Sequence, residues 1–192
     1  MIDAARRMLA DGQSVVSFSG AGLSAESGVG TFRDAQDGLW AKYDPVQLAS
    51  PEGFAADPEL VIDWYAARRR VVGDAQPNPA HVALAGRRDI LHVTQNVDDL
   101  LSRAGAEQVI ALHGSIGSDR CHGGCGHTQR VDMTDPPSLR DCPTCGAPLR
   151  PAVVWFGEAM PQEAWDIAER ACRDCDVLLV IGTSAVVYPA AG

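Results

Sequence analysis

The sequence has almost no lysine, no excess of positive charge and no long apolar run. Only Lys42 among the 16 basic residues is lysine, and 25 acidic residues bring the formal charge to −9. A protein that binds nucleic acid by neutralising phosphates normally carries the opposite charge. No stretch reaches the roughly 18 apolar residues of a membrane helix, and the N-terminal residues lack the apolar run of a signal peptide. We therefore expect no nucleic acid and no membrane among its partners, and a cytoplasmic location.

Cysteine is concentrated in residues 117–150, a segment that is poor in aliphatic residues. Cys121 and Cys125 form a first pair, Cys142 and Cys145 form a second pair, and 16 residues separate the two pairs. Two tight turns that each present two thiolates can hold a tetrahedral zinc ion. In a chain that is not exported, such cysteines more often bind metal than form disulfides. The spacing predicts one structural zinc, and four free thiols are the alternative.

Two details of the cysteine pattern leave alternatives open. The first pair is one residue wider than usual, so His122 and His127 are possible substitute ligands. Cys172 and Cys175 repeat the spacing of the second pair, but they lie in a helical pattern with no following glycine. We interpret that last pair as structural thiols near a helix end.

Short apolar runs alternate with helical patterns along the chain. Strands are predicted at 14–19, 90–94, 108–112, 152–156 and 177–181, and helices at 3–12, 58–72, from about 81, and 162–175. Residues 34–50, which are rich in Asp, Gly and Pro, are predicted to form a loop. The alternation is typical of an α/β fold with a parallel sheet.

A glycine-rich segment follows the first predicted strand. Gly20-Ala-Gly22-Leu-Ser-Ala25 fits the G-x-G-x-x-G/A pattern, in which glycine lets the backbone approach a pyrophosphate. A plain glycine-rich turn is the alternative. An ordinary dehydrogenase would continue with a short helix, a second strand and an acid about 20 residues later. The predicted loop replaces these elements, which weakens a dehydrogenase interpretation.

Polar residues follow two other predicted strands. His113 comes after the strand at 108–112, and Gln95-Asn96-Val-Asp98 comes after the strand at 90–94. Ligands of open α/β sheets bind at the carboxyl ends of the strands, and the pKa of histidine suits a general base. A core histidine and a helix cap are the alternatives, although a cap does not account for Gln95.

The ordered set of motifs resembles the sirtuin family of NAD-dependent protein-lysine deacylases, from about Ser14 to Gly192. The motifs are Gly20–Gly28, Thr31-Phe32-Arg33, Gln95–Asp98, Leu112-His113-Gly114, the four cysteines, Val154–Glu158 and Gly182-Thr183-Ser184. The resemblance implies a Rossmann-like parallel sheet with an inserted zinc module and a helical insertion. The implied domains are an NAD-binding domain (1–40, 80–115 and 151–192), a helical insertion (41–79) and a zinc-binding module (116–150).

The resemblance also implies a reaction and its site. The acyl oxygen of an acyl-lysine attacks the ribose of NAD as nicotinamide leaves, and His113 is the base that activates the ribose hydroxyl. The products are free lysine, nicotinamide and acyl-ADP-ribose, and the zinc is structural. The implied NAD contacts are Gly20, Ala21, Gly22, Ser24, Ala25, Thr31, Phe32, Arg33, Gln95, Asn96, Asp98, Gly182, Thr183 and Ser184. Val154, Trp155, Phe156 and Gly157 match the segment that pairs with an extended acyl-lysine peptide or protein.

A further motif resembles a narrower group, the class III sirtuins. In Trp64-Tyr65-Ala-Ala-Arg68-Arg69-Arg70, Tyr65 and Arg68 are spaced to share a helix face. A guanidinium can hold a carboxylate by two hydrogen bonds, so the motif favours succinyl- and malonyl-lysine, with acetyl-lysine also a substrate. Arg69 facing inward, or a solvated basic face, is the alternative.

The sequence departs from the sirtuin pattern in two places that affect function. Gly30 stands where the family usually has proline, which would loosen the cofactor loop. The sequence stops at Gly192, where relatives continue with a helix, a strand and loops that hold the adenosine of NAD. The resemblance thus implies a truncated chain that binds NAD weakly. Two other functions stay open: a zinc-containing module that binds acyl-lysine or nucleotide without turnover, and a protein ADP-ribosyltransferase.

Overall fold

A four-stranded parallel sheet forms one layer of the computed structural model, which describes residues 2–30 and 43–184. Its strands are β1 (Val15–Ser19), β2 (Ile90–Thr94), β3 (Val109–Ala111) and β7 (Val177–Ile181), in the order β3-β2-β1-β7. The predicted strands at 14–19, 90–94, 108–112 and 177–181 lie within one residue of these bounds. The α/β class with a parallel sheet is confirmed.

A second, antiparallel sheet holds the remaining strands of the described chain. β4 (Gly114–Cys121) lies between β5 (Thr128–Arg130) and β6 (Leu149–Val153). The strand predicted at 152–156 is therefore wrong, both in its bounds and in its place in the alternating pattern. The chain turns after β6 because Gly157 has a left-handed φ of 85° and the Glu158 carboxylate accepts the Trp155 N–H at 2.9 Å.

Four of the described helices begin at a proline that follows a capping residue. They are α2 (Pro45–Leu48), α3 (Pro51–Ala56), α4 (Pro58–Asp74) and α5 (Pro79–Ala85). The side chains of Asp44, Ser50, Asp57 and Asn78 accept backbone N–H groups of the first turns. Proline suits the first helical position because that N–H has no partner within the helix. The predicted loop over 34–50 is wrong at its end, and α5 begins earlier than predicted, because these prolines start helices.

Helix α1 spans Ile2–Asp11, α6 spans Leu100–Arg103 and α7 spans Gln162–Asp174. Ala168 of α7 packs with Val16, Val93 and Leu112 and covers one face of the parallel sheet. None of the described helices combines the length and the apolar content that a bilayer crossing requires.

A second core joins the proline-initiated helices to the antiparallel sheet. Four aromatic residues form its centre, and each is at most 4% exposed: Phe54, Trp64, Tyr65 and Trp155. These residues come from α3, from α4 and from the turn after β6. The core therefore positions the Tyr65 side of α4 against the segment that follows Val153.

Candidate active site

The glycine-rich loop after β1 packs directly on the end of β7. The Gly20 N–H donates to Ile181 O at 3.0 Å, and the Gly22 N–H donates to Gly182 O at 2.8 Å. A Cβ on Gly22 would lie 2.8 Å from the Gly182 Cα, so the loop needs glycine for this contact. Two predicted parts of the cofactor site, 20–25 and 182–184, are thus brought together.

The loop continues as two short 3₁₀ turns, Ala21–Leu23 and Ala25–Ser27. A regular helix does not begin there, in contrast to the simple pattern that the glycine spacing describes. Gly28 ends the second turn with a left-handed φ of 80°. Thr31, Phe32 and Arg33, the next predicted cofactor contacts, lie outside the described residues.

Ser24 is the centre of a buried polar network with Asn96 and Asp98. The Ser24 hydroxyl donates to Asp98 Oδ2 at 2.9 Å, and Asn96 Nδ2 donates to Ser24 Oγ at 3.1 Å. Burial raises the pKa of Asp98, and the hydrogen bonds from Leu100 N and Ser24 oppose that rise. The predicted residues of the loop and of the β2 end therefore meet.

Sequence reasoning missed two residues of this network, Asn78 and His81. His81 Nε2 lies 3.4 Å from Ser24 Oγ, and Asn78 Nδ2 donates to Leu23 O at 2.8 Å. Burial lowers the pKa of His81, while the charge of Asp98 partly opposes this effect. The available signal was the Asn78-Pro79 start of α5, which carries His81 at the third helical position.

His113 lies between the two sheets of the chain, directly before β4. Its Nδ1 is 2.8 Å from Gln95 O, and its own carbonyl accepts the Val154 N–H at 2.9 Å. A carbonyl oxygen only accepts, so Nδ1 carries the proton and Nε2 keeps a lone pair. Burial lowers the pKa of His113, with a smaller opposing effect from the Gln95 hydrogen bond. The geometry supplies a neutral imidazole near pH 7 with Nε2 as its basic atom.

Gln95 connects His113 to the end of β7. The Thr183 hydroxyl donates to Gln95 Oε1 at 2.9 Å. Gln95 Nε2 is buried, and no acceptor for it lies among the residues that the structure describes. A buried donor without an acceptor is costly, so this position fits a ligand that carries hydroxyl or carbonyl oxygens.

Tyr65 and Arg68, the pair that the sequence analysis selected, lie three residues apart on α4. Tyr65 is 4% exposed, and its Oη accepts a hydrogen bond from Trp155 Nε1 at 2.9 Å. The Arg68 guanidinium lies 5.0 Å from the centre of the Trp64 ring. Burial lowers the pKa of Arg68, and the Tyr65 and Asp98 charges oppose that shift.

Arg69 also faces inward, but its donors are used within the protein. It is 1% exposed, donates to Ile116 O at 2.8 Å and forms an ion pair of 2.6 Å with Asp119. Arg70 is exposed. Of the three consecutive arginines, Arg69 therefore joins α4 to β4, and Arg68 is the one beside Tyr65.

The turn after β6 is organised by one carboxylate. Glu158 accepts hydrogen bonds from Arg120 at 2.7 Å and from Arg150, as well as from the Trp155 N–H. The Phe156 N–H donates to Ala49 O at 2.9 Å. Because the N–H groups of Val154, Trp155 and Phe156 all bond within the chain, a peptide strand would use carbonyl oxygens here.

The four cysteines of the predicted zinc site form one cluster. All four Sγ atoms lie within 4.8 Å of one another, with Cys121–Cys145 at 3.3 Å and Cys125–Cys142 at 3.6 Å. Tetrahedral zinc with Zn–S bonds of about 2.3 Å requires thiolates at roughly this separation. The donor set therefore fits zinc, and four protein ligands would close its coordination shell.

Neither histidine of this segment joins the four sulfurs. The His122 ring lies 4.9 Å from the Phe54 ring centre, and His127 Nε2 lies 3.3 Å from Gln129 Oε1. The wide first cysteine pair is accommodated by the left-handed glycines Gly124 and Gly126 on either side of Cys125. A histidine ligand is thus not needed to complete the cluster.

A family model, a curated relative and solved structures all indicate the same protein family. A model of the Sir2 family matches residues 20–189. An "NAD-dependent protein deacylase" of Methylococcus capsulatus is 50% identical over 199 aligned positions, covering 95% of this chain and 76% of that protein. A solved Sir2 homologue–NAD complex is 48% identical with a TM-score of 0.91, covering 98% of this chain and 75% of that one. The structure of Sir2Tm bound to a propionylated peptide is 29% identical with a TM-score of 0.83, covering 99% and 78%.

Proposed function

This chain belongs to the Sir2 family, the sirtuins, and we propose that it removes acyl groups from protein lysines in an NAD-dependent reaction. The products would be free lysine, nicotinamide and O-acyl-ADP-ribose. The observation that carries the proposal is the His113–Gln95–Thr183 connection. It holds a neutral imidazole beside a buried, unsatisfied amide donor at the ends of the parallel strands.

His113 would act as the general base. Its Nδ1–H bond to the Gln95 carbonyl orients the ring and leaves Nε2 free to take a proton from a ribose hydroxyl. When bound, NAD would supply the ribose carbon to which the acyl oxygen adds as nicotinamide leaves. Burial lowers the pKa of His113, which keeps the base unprotonated at neutral pH.

The residues that would hold NAD surround this base. Gly20, Ala21, Gly22 and Ala25 offer a loop of small residues for the pyrophosphate, with Gly182 and Thr183 packed against it and Ser184 next in the chain. The Ser24–Asn96–Asp98 network would fix the polar lining of the nicotinamide side. Gln95 Nε2 would donate to the ribose, and Thr31, Phe32 and Arg33, which lie outside the described residues, are assigned to NAD by the family pattern alone. This assignment rests on the family pattern and on the contacts between these segments.

The acyl-lysine substrate would lie along Val154, Trp155, Phe156 and Gly157. The Val154 N–H is bonded to the carbonyl of His113, so a lysine held by this segment would end beside the base. Backbone pairing of that kind places little demand on the peptide sequence. The substrates are therefore proposed to be acyl-lysine proteins or peptides of varied sequence.

The acyl group would be succinyl or malonyl, with acetyl accepted less well. Tyr65 and Arg68 lie three residues apart on α4. Tyr65 is buried and bonded to Trp155, and the partly exposed Arg68 lies over the Trp64 ring. A guanidinium can hold a carboxylate by two charge-assisted hydrogen bonds. Arg68 lies near enough to Tyr65 for the two to influence each other's pKa, and we assign acyl recognition to this pair.

The domain division and the location form part of the proposal. The NAD-binding part would comprise 1–40, 80–115 and 151–192, with the helical insertion at 41–79 and the zinc module at 116–150. Zinc held by four thiolates requires reduced cysteines, which favours the cytoplasm.

The proposal is tested by incubating the chain with NAD and matched succinyl-, malonyl- and acetyl-lysine peptides, followed by mass spectrometry. We expect equal amounts of deacylated peptide, nicotinamide and O-acyl-ADP-ribose. Nicotinamide without deacylation, with ADP-ribose attached to protein, would indicate an ADP-ribosyltransferase. Peptide or nucleotide binding without any product would indicate a binding module.

A further inference from the structure

We propose that Trp155 is a positioning residue for acyl-group selection, because its indole N–H fixes the direction in which the Tyr65 hydroxyl donates. This inference rests on the proposed preference for acyl groups that end in a carboxylate. It assigns to the Trp155 side chain a role separate from the backbone of its segment.

The geometry of the pair determines which atom donates. Trp155 Nε1 lies 2.9 Å from Tyr65 Oη, and the two side chains are 2% and 4% exposed. An indole N–H can only donate, so Tyr65 Oη is the acceptor and its own hydrogen must point elsewhere. In the part of the chain that the structure describes, Tyr65 Oη accepts this hydrogen bond and no hydrogen bond donated by it is observed.

Trp155 is itself held in place by its neighbours. The Arg150 guanidinium lies 3.9 Å from the centre of its ring, and the Phe54 ring lies 5.4 Å away. The Glu158 carboxylate holds the Trp155 backbone N–H at 2.9 Å. With ring and backbone both engaged, the direction of the indole N–H is set before a ligand arrives.

Tyr65 and Arg68 are both hydrogen-bond donors at neutral pH. Burial raises the pKa of Tyr65 to about 12, with smaller lowering effects from the Trp155 hydrogen bond and the nearby Arg68. The phenol is therefore protonated at neutral pH, and it donates. The Arg68 guanidinium has no acceptor atom, so it cannot receive the Tyr65 hydrogen. A carboxylate at the end of an acyl chain supplies acceptor oxygens for both groups, whereas an acetyl methyl group supplies none.

The experiment is a double-mutant cycle on the ratio of kcat/KM for succinyl-lysine to that for acetyl-lysine peptides. The variants are Tyr65→Phe, Trp155→benzothienylalanine and the combination of the two. Benzothienylalanine keeps the shape of the fused ring and replaces the N–H with sulfur, so it removes the donor without opening a cavity. Thermal unfolding of each variant checks that the fold is retained.

Tyr65→Phe is expected to lower the ratio by about tenfold, the effect of one hydrogen bond to a charged group. Trp155→benzothienylalanine is expected to lower it by roughly threefold or more, mainly through KM for succinyl-lysine. In the combination, the sulfur substitution should change the ratio by less than about twofold, because the hydroxyl it orients is gone.

If the wild-type protein prefers succinyl-lysine, either of two results would overturn the inference. The first is an unchanged ratio of kcat/KM values in Trp155→benzothienylalanine. The second is a double variant in which the ratio falls by the product of the two single-variant effects. If the wild-type chain instead shows no preference for succinyl-lysine, the proposed acyl class fails, and this inference fails with it. A Trp155→Phe variant that loses both activities equally, while the sulfur analogue keeps the ratio, would assign Trp155 to packing alone.

Discussion

The buried guanidinium of Arg69 donates to the Asp119 carboxylate at 2.6 Å and joins helix α4 to strand β4. Both side chains are at most 4% exposed, and Asp119 also accepts from Arg140 at 3.0 Å. The same strand begins directly after His113 and ends at Cys121. One buried ion pair therefore connects the helix that carries the proposed acyl-binding residues with the strand that links the proposed base to the cysteine cluster.

Asp119→Ala is expected to destabilise the protein by about 3–5 kcal/mol, because it leaves the Arg69 charge buried without its partner. The free energy of unfolding in urea measures this loss. Arg70→Ala, on the exposed face of the same helix, is the matched control and should change stability by less than about 0.5 kcal/mol. A loss below about 1 kcal/mol for Asp119→Ala would show that water reaches the pair.

Removal of zinc should unfold the antiparallel sheet before the parallel sheet. The segment that contains the cluster has few buried apolar side chains apart from its cysteines and Leu149, so its folding depends on metal binding. Metal analysis should give about one zinc per chain. Hydrogen exchange after chelation should show early loss of protection in β4–β6. A metal-free protein with full protection there would contradict the four-thiolate site.

Single cysteine variants separate the ligands from the remaining cysteines. Cys142→Ser should lose most of the zinc, whereas Cys172→Ser should keep it, because Cys172 lies in α7 outside the sulfur cluster. Zinc content and thiol titration measure both. Full zinc content in Cys121→Ser would instead identify a histidine as the fourth ligand.

His113→Gln should lower the rate of deacylation by about 100- to 10,000-fold, the usual contribution of a general base. Its fold and zinc content should be retained, since His113 bonds to the protein through Nδ1 and its backbone. Because burial lowers the pKa of His113, the acid limb of the rate profile should lie below about pH 6.5. Near-normal turnover in the variant would remove His113 from the reaction.

Arg68→Ala should lower kcat/KM for succinyl-lysine by about 1.5–3 kcal/mol of transition-state free energy, because the acyl carboxylate loses a charged hydrogen-bond donor. Activity on acetyl-lysine should fall much less. Steady-state kinetics with the two peptides measures the difference, and Arg70→Ala is again the exposed control. Equal losses on both peptides would mean that Arg68 supports the structure and does not select the acyl group.

Stability should decrease as the pH falls below neutral. Burial lowers the pKa of His81, His92 and His113, so the unfolded chain binds protons that the folded protein does not. The free energy of unfolding is then highest above about pH 6.5 and falls below it, levelling off beneath the lowered pKa values. Denaturation in urea from pH 7.5 to 5 measures the slope, with these pH limits set around the usual histidine pKa of about 6.5.

His92→Gln tests one group of that set. His92 is 1% exposed, and its Nδ1 is 2.8 Å from Ser17 Oγ, a bond that glutamine can replace. The variant should show a smaller decrease between neutral pH and pH 5 than the wild type. Asp98, whose pKa burial raises, has the opposite sign closer to pH 4, near the usual range of its carboxyl. A slope identical to that of the wild type would show that His92 is not among the groups that resist protonation.

The sequence by itself determined the parallel sheet and the composition of the zinc cluster. Apolar runs of five residues such as Val177–Ile181 have few alternatives to a strand between helices. Four cysteines in two close pairs restrict which thiols can meet one metal. The order of the motifs, read as a family resemblance, also predicted the site at the strand ends, and the structure brings Ser24, Asn96 and Asp98 together there.

Local sequence misled where proline and apolar residues have two possible roles. Pro45 and Pro79 begin helices because Asp44 and Asn78 cap them, whereas proline between polar residues also predicts a loop. The apolar run 152–156 resembled a strand, yet only its first residues pair in a sheet. The Glu158 carboxylate, held by two arginines from β4 and β6, decides where that strand ends.

Only the tertiary structure decided which buried polar groups find partners. Arg68 and Arg69 are equivalent by helical spacing, but the structure pairs Arg69 with Asp119. His81 enters the site because α5 packs its first turn against the glycine-rich loop through Asn78 and Leu23. A buried donor or charge needs a partner at hydrogen-bond distance, and that distance depends on elements far apart in the chain, which no local pattern encodes.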